Sequence, residues 1–185
     1  MAERRGHTEF PVSEPGRALG CMASAVLWRS LFQPENLDAA RSVPAALKII
    51  DGIQTDSANA LFGLPLWTRA VYLSQAPSEF GGSLETAAGD LATSLSMAGP
   101  LQAYVHALRL RYLCTARQDP QCAEEAEATF RSTPATPEVY RAANRLVGWV
   151  RARYNLLFPS TPYSYTPVES ERRDSPEVDP DVVDG

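Results

Sequence analysis

The basic residues of this chain are almost all arginine, which limits the chemistry that they can perform. Of the 17 basic residues, Lys48 is the single lysine. The planar guanidinium group of arginine grips a phosphate or a carboxylate through two parallel hydrogen bonds and stays protonated at physiological pH. This bias favours a protein that forms fixed ion pairs, although a G/C-rich genome would also enrich arginine without any functional reason.

The charges are unevenly distributed along the chain. The last 18 residues hold seven acids and two arginines and so carry the whole net charge of −5, which leaves residues 1–167 neutral. Residues 101–153 contain eight arginines against five acids. A protein with a negative net charge can therefore still contain a basic groove that attracts a polyanion.

A cluster of carboxylates precedes the densest run of arginines. Glu124, Glu125 and Glu127 stand before the Thr133-Pro134 joint, and four arginines follow it within residues 139–159. Clustered carboxylates can in principle perform acid/base chemistry, but such a run more often forms the solvated face of a helix.

The motifs of common enzyme classes are absent from the sequence. It contains no G-x-x-x-x-G-K-[ST], G-x-S-x-G, H-E-x-x-H or G-x-G-x-x-G. His106 stands between apolar neighbours and is interpreted as a core residue rather than as a catalytic base. We therefore expect no catalytic residue, no metal site and no cofactor.

The three cysteines, Cys21, Cys114 and Cys122, form no C-x-x-C pair and are odd in number. This pattern gives poor support to a disulfide framework or a zinc site, and it favours free cysteines that act as small buried apolar residues in a reducing compartment. Neither a membrane-spanning apolar run nor a secretory signal is recognised. We expect no membrane association.

Apolar spacing and capping residues predict a mostly helical chain. A flexible N-terminal arm is expected over residues 1–17, a helical domain of four or five main helices over 18–158, and a disordered acidic, proline-rich tail over 159–185. Ser83, Asp119 and Thr136 are predicted N-caps. The second helical stretch should bend or break at Pro44, and periodicity does not decide between helix and strand for LPLWTRAVYL.

Two of these helices carry the arginines of interest. In LQAYVHALRLRYLCTAR, an apolar stripe formed by Leu101, Val105, Leu108 and Tyr112 is flanked by Arg109 and Arg111. In TPEVYRAANRLVGWVRARYNLLF, helical spacing places Arg141, Arg145 and Gly148 on a face separate from the apolar stripe.

Several segments resemble the coat proteins of rod-shaped plant viruses. AEEAEATFRSTPAT followed by RAANRLV is similar to the region of tobamovirus-type coat proteins in which an acidic helix runs into an arginine-bearing turn. RARYNLLF resembles the closing segment of furovirus coat proteins, and LDAARSVPAALKIIDGI an early helix of benyvirus coat proteins. The length, the helical character and the loose C-terminal tail fit the virgavirus and benyvirus kind.

This resemblance implies an all-α, antiparallel four-helix bundle that self-assembles into a helical rod around single-stranded viral RNA, in the virion and the host cytoplasm. It implies RNA-binding arginines at Arg131, which matches the family's turn, and at Arg109 and Arg111, which lie near its R-x-R pair. Arg141 lies within one position of a further family arginine, and Arg145 shares its helix face. The buried acid that normally pairs with that further arginine has no counterpart between Asp90 and Asp119.

The resemblance also implies a role for the acidic cluster. Glu124, Glu125 and Glu127 would face carboxylates across subunit contacts, repel them when ionised and share protons with them at lower pH. Polymerisation should then be favoured by mild acid. The family's terminal tryptophan is replaced here by Phe158.

Other functions remain open at this stage. The main alternative is a non-enzymatic helical-bundle module for protein–protein interaction with a regulatory acidic tail. A small helical enzyme with an unfamiliar site and an unrelated viral tegument or scaffold protein are further alternatives.

Overall fold

The described part of the chain is entirely helical. A computed structural model describes residues 14–53 and 61–159, so the tail beyond residue 159 and most of the predicted arm lie outside it. Within these ranges we number eight helices, and no strand occurs. Their bounds are α1 Glu14–Phe32, α2 Leu37–Asp51, α3 Leu64–Gln75, α4 Leu84–Met97, α5 beginning with Gln102–Leu108, α6 Pro120–Ser132, α7 Pro137–Arg151 and α8 Tyr154–Leu157.

Helix α5 changes its winding along its length. It continues from Leu108 through a π-helical segment, Arg109–Cys114, and ends with the turn Thr115–Arg117. Gln118 then adopts a left-handed conformation at φ 52°, which stops the helix. Because π-helical turns shift the angular position of every later side chain, the directions of Arg111 and Cys114 differ from those of a regular α-helix.

Local sequence signals explain where most helices begin. The side chains of Ser83, Asp119 and Thr136 each accept a hydrogen bond from a backbone N–H in the first turn, which confirms the three predicted caps. Asn36 caps α2 in the same way. Gly63, with φ 71°, precedes α3. LPLWTRAVYL, for which periodicity did not decide between helix and strand, forms this helix.

Helix α2 runs without interruption through Pro44, contrary to the predicted bend or break. Pro44 is exposed, so its ring lies towards water rather than in the core. At the N-terminal end, α1 begins at Glu14, within the range that the sequence assigned to an arm.

The core consists of two apolar clusters on either side of α5. The first cluster takes Val105, Leu108 and Leu113 of α5 together with buried residues of α1 to α4. The second takes Ala103, Ala107, Leu110 and Cys114 of α5 together with residues of α6, α7 and α8. Helix α5 is thus covered on two faces instead of one stripe. The all-helical prediction is confirmed for the described residues, whereas the structure does not show a four-helix bundle.

A disulfide closes the turn between α5 and α6. Cys114 and Cys122 are bonded and buried, while Cys21 is free and exposed. The prediction of three free cysteines is therefore wrong for two of them. Their pairing could not be predicted from the sequence. The left-handed residue Gln118 and the Asp119 cap fold the chain back, so that the Cα atoms of Cys114 and Cys122 lie 5.4 Å apart.

A buried ion pair links the helices of the first cluster. Arg69 of α3 donates two hydrogen bonds of 2.7 Å to the carboxylate of Asp90 in α4, and a third to Asp51 at the end of α2. The side chain of Asp90 is buried and that of Arg69 is 13% exposed, whereas Asp51 is exposed. None of the helices described here is both long and apolar enough to cross a membrane.

Candidate functional site

Helices α5 and α7 bring two arginines onto one tryptophan. The guanidinium carbon of Arg111 lies 3.2 Å from the centre of the Trp149 ring, and that of Arg153 lies 4.5 Å from the same centre. Arg111 also approaches the Tyr112 ring, at 4.9 Å. An aromatic ring attracts cations to its face, so the indole holds two like charges at a shared position. We call Arg111, Trp149 and Arg153 the tryptophan–arginine site.

The positive charge of this site is not neutralised by neighbouring side chains. In the ranges 14–53 and 61–159, no carboxylate lies within ion-pair distance of Arg111 or Arg153. Burial of the guanidinium lowers the pKa of Arg111, and the positive charge of Arg153 acts in the same direction. The site thus combines partial desolvation with unbalanced charge, and an anion would relieve this repulsion.

The outer face of α7 extends the positive surface. Arg141 and Arg145 are exposed one turn apart, as the helical spacing predicted. Arg141 forms an exposed ion pair of 3.3 Å with Glu138, a kind of contact that contributes little stability. Arg145 has no ion-pair partner among the residues described. A Cβ atom at Gly148 would meet nothing within 4 Å, so the surface beside Trp149 is open.

Arg131 and Arg109, two of the predicted RNA-binding arginines, are instead paired with carboxylates of α6. Arg131 and Arg151 both donate to Oε1 of Glu127, with shortest distances of 2.9 and 2.7 Å. Arg109 lies 3.7 Å from Glu125. The helical spacing predicted that Arg109 and Arg111 would flank one seam, and the structure places them against different helices, α6 and α7.

The three predicted inter-subunit carboxylates differ in their surroundings. The Glu127 side chain is 14% exposed and is engaged by Arg131 and Arg151. Glu125 is exposed and faces Arg109. Glu124 is exposed as well. The geometry therefore favours Glu124 and Glu125 over Glu127 for a contact with another subunit.

Two members of the tryptophan–arginine site were not predicted from the sequence. Trp149 and Arg153 are four residues apart, a spacing that places side chains on the same helix face and that could have indicated a cation–aromatic pair. No local signal could have added Arg111, because its approach to Trp149 depends on the packing of α5 on α7 and on the π-helical segment.

The described residues contain no group of three metal-ligating side chains. Comparison of the chain with protein-family models, with curated proteins and with solved structures found no match in any of the three.

Proposed function

We propose that this chain is a structural coat protein that self-assembles into a helical rod around single-stranded viral RNA. The observation that carries the proposal is the tryptophan–arginine site, in which two guanidinium groups share one half-buried aromatic ring and no carboxylate of the described residues neutralises them. The segments that resemble rod-shaped virus coat proteins include part of α7, the helix that provides Trp149, and RARYNLLF, which provides Arg153 just after that helix ends.

The chemistry of the site suits an RNA backbone. Guanidinium groups bind phosphate through charge-assisted hydrogen bonds that carry no sequence information, as a protein that coats a whole genome requires. Arg111 and Arg153 would bind phosphates beside Trp149, and Arg145 and Arg141 would continue the track along α7. Aromatic rings interleaved with arginines are typical of surfaces that bind single strands.

The geometry ranks the candidate arginines. Arg111, Arg145 and Arg153 can bind a phosphate without losing a carboxylate partner. Arg109 would have to release Glu125 before binding a phosphate, and Arg131 would bind a phosphate and Glu127 together. A single subunit with a few phosphate contacts binds RNA weakly and salt-sensitively. High affinity then comes from the array of subunits along one strand.

Binding of a short single-stranded RNA to the purified protein, measured by fluorescence anisotropy at several salt concentrations, tests the role of the site. Arg111→Ala and Arg153→Ala should each weaken binding and reduce the slope of log K against log salt by about 0.7, since each removes one phosphate contact. Arg41→Ala is the matched control, because Arg41 is exposed on α2 beside Asp38. Equal slopes for all four proteins would refute the RNA-binding part of the proposal.

Electron microscopy with and without RNA tests rod formation, and sedimentation at pH 5 and pH 8 tests the acid dependence. Glu124→Gln should reduce the difference in assembly between pH 5 and pH 8, since the exposed Glu124 can face a carboxylate of another subunit. Glu127→Gln should not act in this way, because Glu127 is engaged within the subunit.

A virion would also suit the Cys114–Cys122 disulfide, since disulfides persist outside the reducing cytoplasm.

A second candidate function is an interaction module, and one observation favours it. A groove of about 350 Å³ lies between α1, α2 and α3, lined mainly by apolar side chains that include Leu31, Val43, Tyr72 and Phe80. Grooves of this kind accept apolar side chains of partner proteins. A protein that stays monomeric and has no affinity for RNA would support this candidate against the coat protein.

A further inference from the structure

Exposed apolar side chains occur in the segments that form the groove. Phe32 at the end of α1 is 64% exposed, Leu37 at the start of α2 is 65% exposed, and Phe80, which lines the groove, is 66% exposed. Leu31 and Val43 form part of its wall. Single exposed apolar residues are ordinary, but a cluster around a concave surface indicates a binding site.

A protruding apolar side chain lies elsewhere on the same molecule. Leu156 in α8 is 83% exposed, the largest exposed fraction among the large apolar residues described. Its neighbours Tyr154 and Phe158 are buried in the second cluster, with ring centres 4.7 Å apart. They fix the short helix to the core, so Leu156 is held outward on a rigid support. We call this feature the Leu156 knob.

The groove and the knob belong to different halves of the molecule. The helices that form the groove pack in the first apolar cluster, and α8 packs in the second. A contact between the knob of one copy and the groove of another therefore joins two different surfaces. Such a heterologous contact leaves one free groove and one free knob at the ends of every chain of copies, and it propagates into an open helical array unless it closes into a ring.

The charges around the two features are complementary. Glu35 follows Pro34 of the groove and Glu79 precedes Phe80, and neither carboxylate forms an ion pair within the described ranges. Of the nearby arginines, Arg41 lies 3.9 Å from Asp38, whereas Arg29 keeps its charge because its partner Gln33 is neutral. The three carboxylates Glu35, Asp38 and Glu79 thus outnumber these two arginines. Residues 139–159, by contrast, contain four arginines, of which Arg141 and Arg151 are paired with Glu138 and Glu127, while Arg145 and Arg153 have no ion-pair partner among the described residues. A basic knob thus meets an acidic groove rim, which favours this pairing over groove-to-groove or knob-to-knob contacts.

We propose that the Leu156 knob of one copy inserts into the α1–α3 groove of the next copy and forms the repeating contact of the assembly. The inference rests on the proposed self-assembly and names the surfaces that would perform it. Leu156 follows Arg153 by three residues, so each contact places the tryptophan–arginine site of one copy next to the groove of its neighbour. Successive RNA sites would then lie at a regular spacing along the array.

Two complementary variants test this contact by sedimentation velocity. Leu156→Ser removes the knob without adding a charge near Arg153, and Ala40→Trp fills the groove, since Ala40 lines it and is exposed. Each variant alone should lose the large assemblies of the wild type. A mixture of the two should form one-to-one dimers and nothing larger, because only one intact knob and one intact groove remain to pair. Met22→Asp, which changes an exposed apolar residue of α1 about 12 Å along the helix from the groove, should assemble like the wild type.

The outcomes separate this contact from RNA binding. Binding of a short RNA should be unchanged in Leu156→Ser and Ala40→Trp, while circular dichroism confirms that both are folded. Full assembly of either variant, or a mixture without dimers, would overturn the proposed contact but leave RNA binding intact. A wild-type protein that stays monomeric would overturn it too. If the variants behave as expected but the wild type does not bind RNA, the contact stands and the coat function fails.

Discussion

Arg69 and Asp90 form a bidentate ion pair across α3 and α4, with both hydrogen bonds at 2.7 Å, Asp90 buried and only 13% of the Arg69 side chain exposed. Hydrogen bonding to Asp90 raises the pKa of Arg69 above its usual value, against the opposing effect of burial. The Arg111 guanidinium is partly buried as well, yet it contacts the Trp149 ring and no carboxylate among the described residues. The chain therefore uses arginine in two ways, as a structural cross-link in one half and as an unbalanced charge in the other.

Removal of either partner of the Arg69–Asp90 pair should destabilise the fold strongly. Asp90→Ala leaves a buried guanidinium with only the exposed Asp51 nearby, and breaking a buried pair in this way typically lowers the free energy of unfolding by about 3–5 kcal/mol. Asp51→Ala is the matched control, since loss of an exposed partner should cost about 0–1 kcal/mol. Urea unfolding of the three proteins measures the difference. Equal losses for Asp51 and Asp90 would contradict this assignment.

Trp149 should matter for the arrangement of the charges and not for their number. Trp149→Ala keeps Arg111 and Arg153 but removes the ring that holds both, so the affinity for single-stranded RNA should fall roughly three- to tenfold, in line with the usual strength of cation–aromatic contacts. The salt dependence should stay close to that of the wild type, because the phosphate contacts remain. Trp149→Phe should retain most of the affinity. A reduced salt slope in Trp149→Ala would show that the ring determines how many phosphates are bound.

The Cys114–Cys122 disulfide should stabilise the junction of α5 and α6. Its sequence separation is 8 residues, and closing a loop of this length contributes about 2–3 kcal/mol when the folded geometry is unstrained. Cys122→Ser should lower the free energy of unfolding by about this amount. Cys21→Ser should have almost no effect, since Cys21 is free and exposed. If a reducing agent leaves the urea midpoint of the wild type unchanged, the disulfide does not stabilise the protein in solution.

The sequence predicted local features of the fold and missed those that depend on distant residues. The caps Ser83, Asp119 and Thr136 were predictable because each acts on the next few backbone N–H groups. The Arg69–Asp90 pair was not, because it joins residues 21 positions apart across two helices.

The candidate site follows the same division. The exposure of Arg145 followed from helical spacing, whereas the pairing of Arg131 and Arg151 with one carboxylate required the packing of α6 against α7. The predicted single stripe on α5 failed for a related reason. A helix covered on two faces carries apolar residues around most of its circumference, and periodicity then no longer marks one buried side.

His106 should make the folded protein less stable as the pH falls below neutrality. Burial lowers the pKa of His106 in the folded protein, and the positive charge of Arg109 lowers it further. The unfolded chain, with a histidine pKa near 6.5, then binds a proton more readily than the folded one. The corresponding stability is complete above about pH 6.5 and is lost as the pH falls towards the lower folded pKa.

Urea midpoints at pH 8 and pH 5 measure this effect. The wild type should lose more stability between the two pH values than His106→Gln, which cannot take up the proton. Most carboxylates titrate below this range and are common to both proteins, so the difference isolates the imidazole. Equal losses in the wild type and in His106→Gln would mean that His106 takes up its proton as easily in the folded chain as in the unfolded one, and that neither its burial nor Arg109 acts on it.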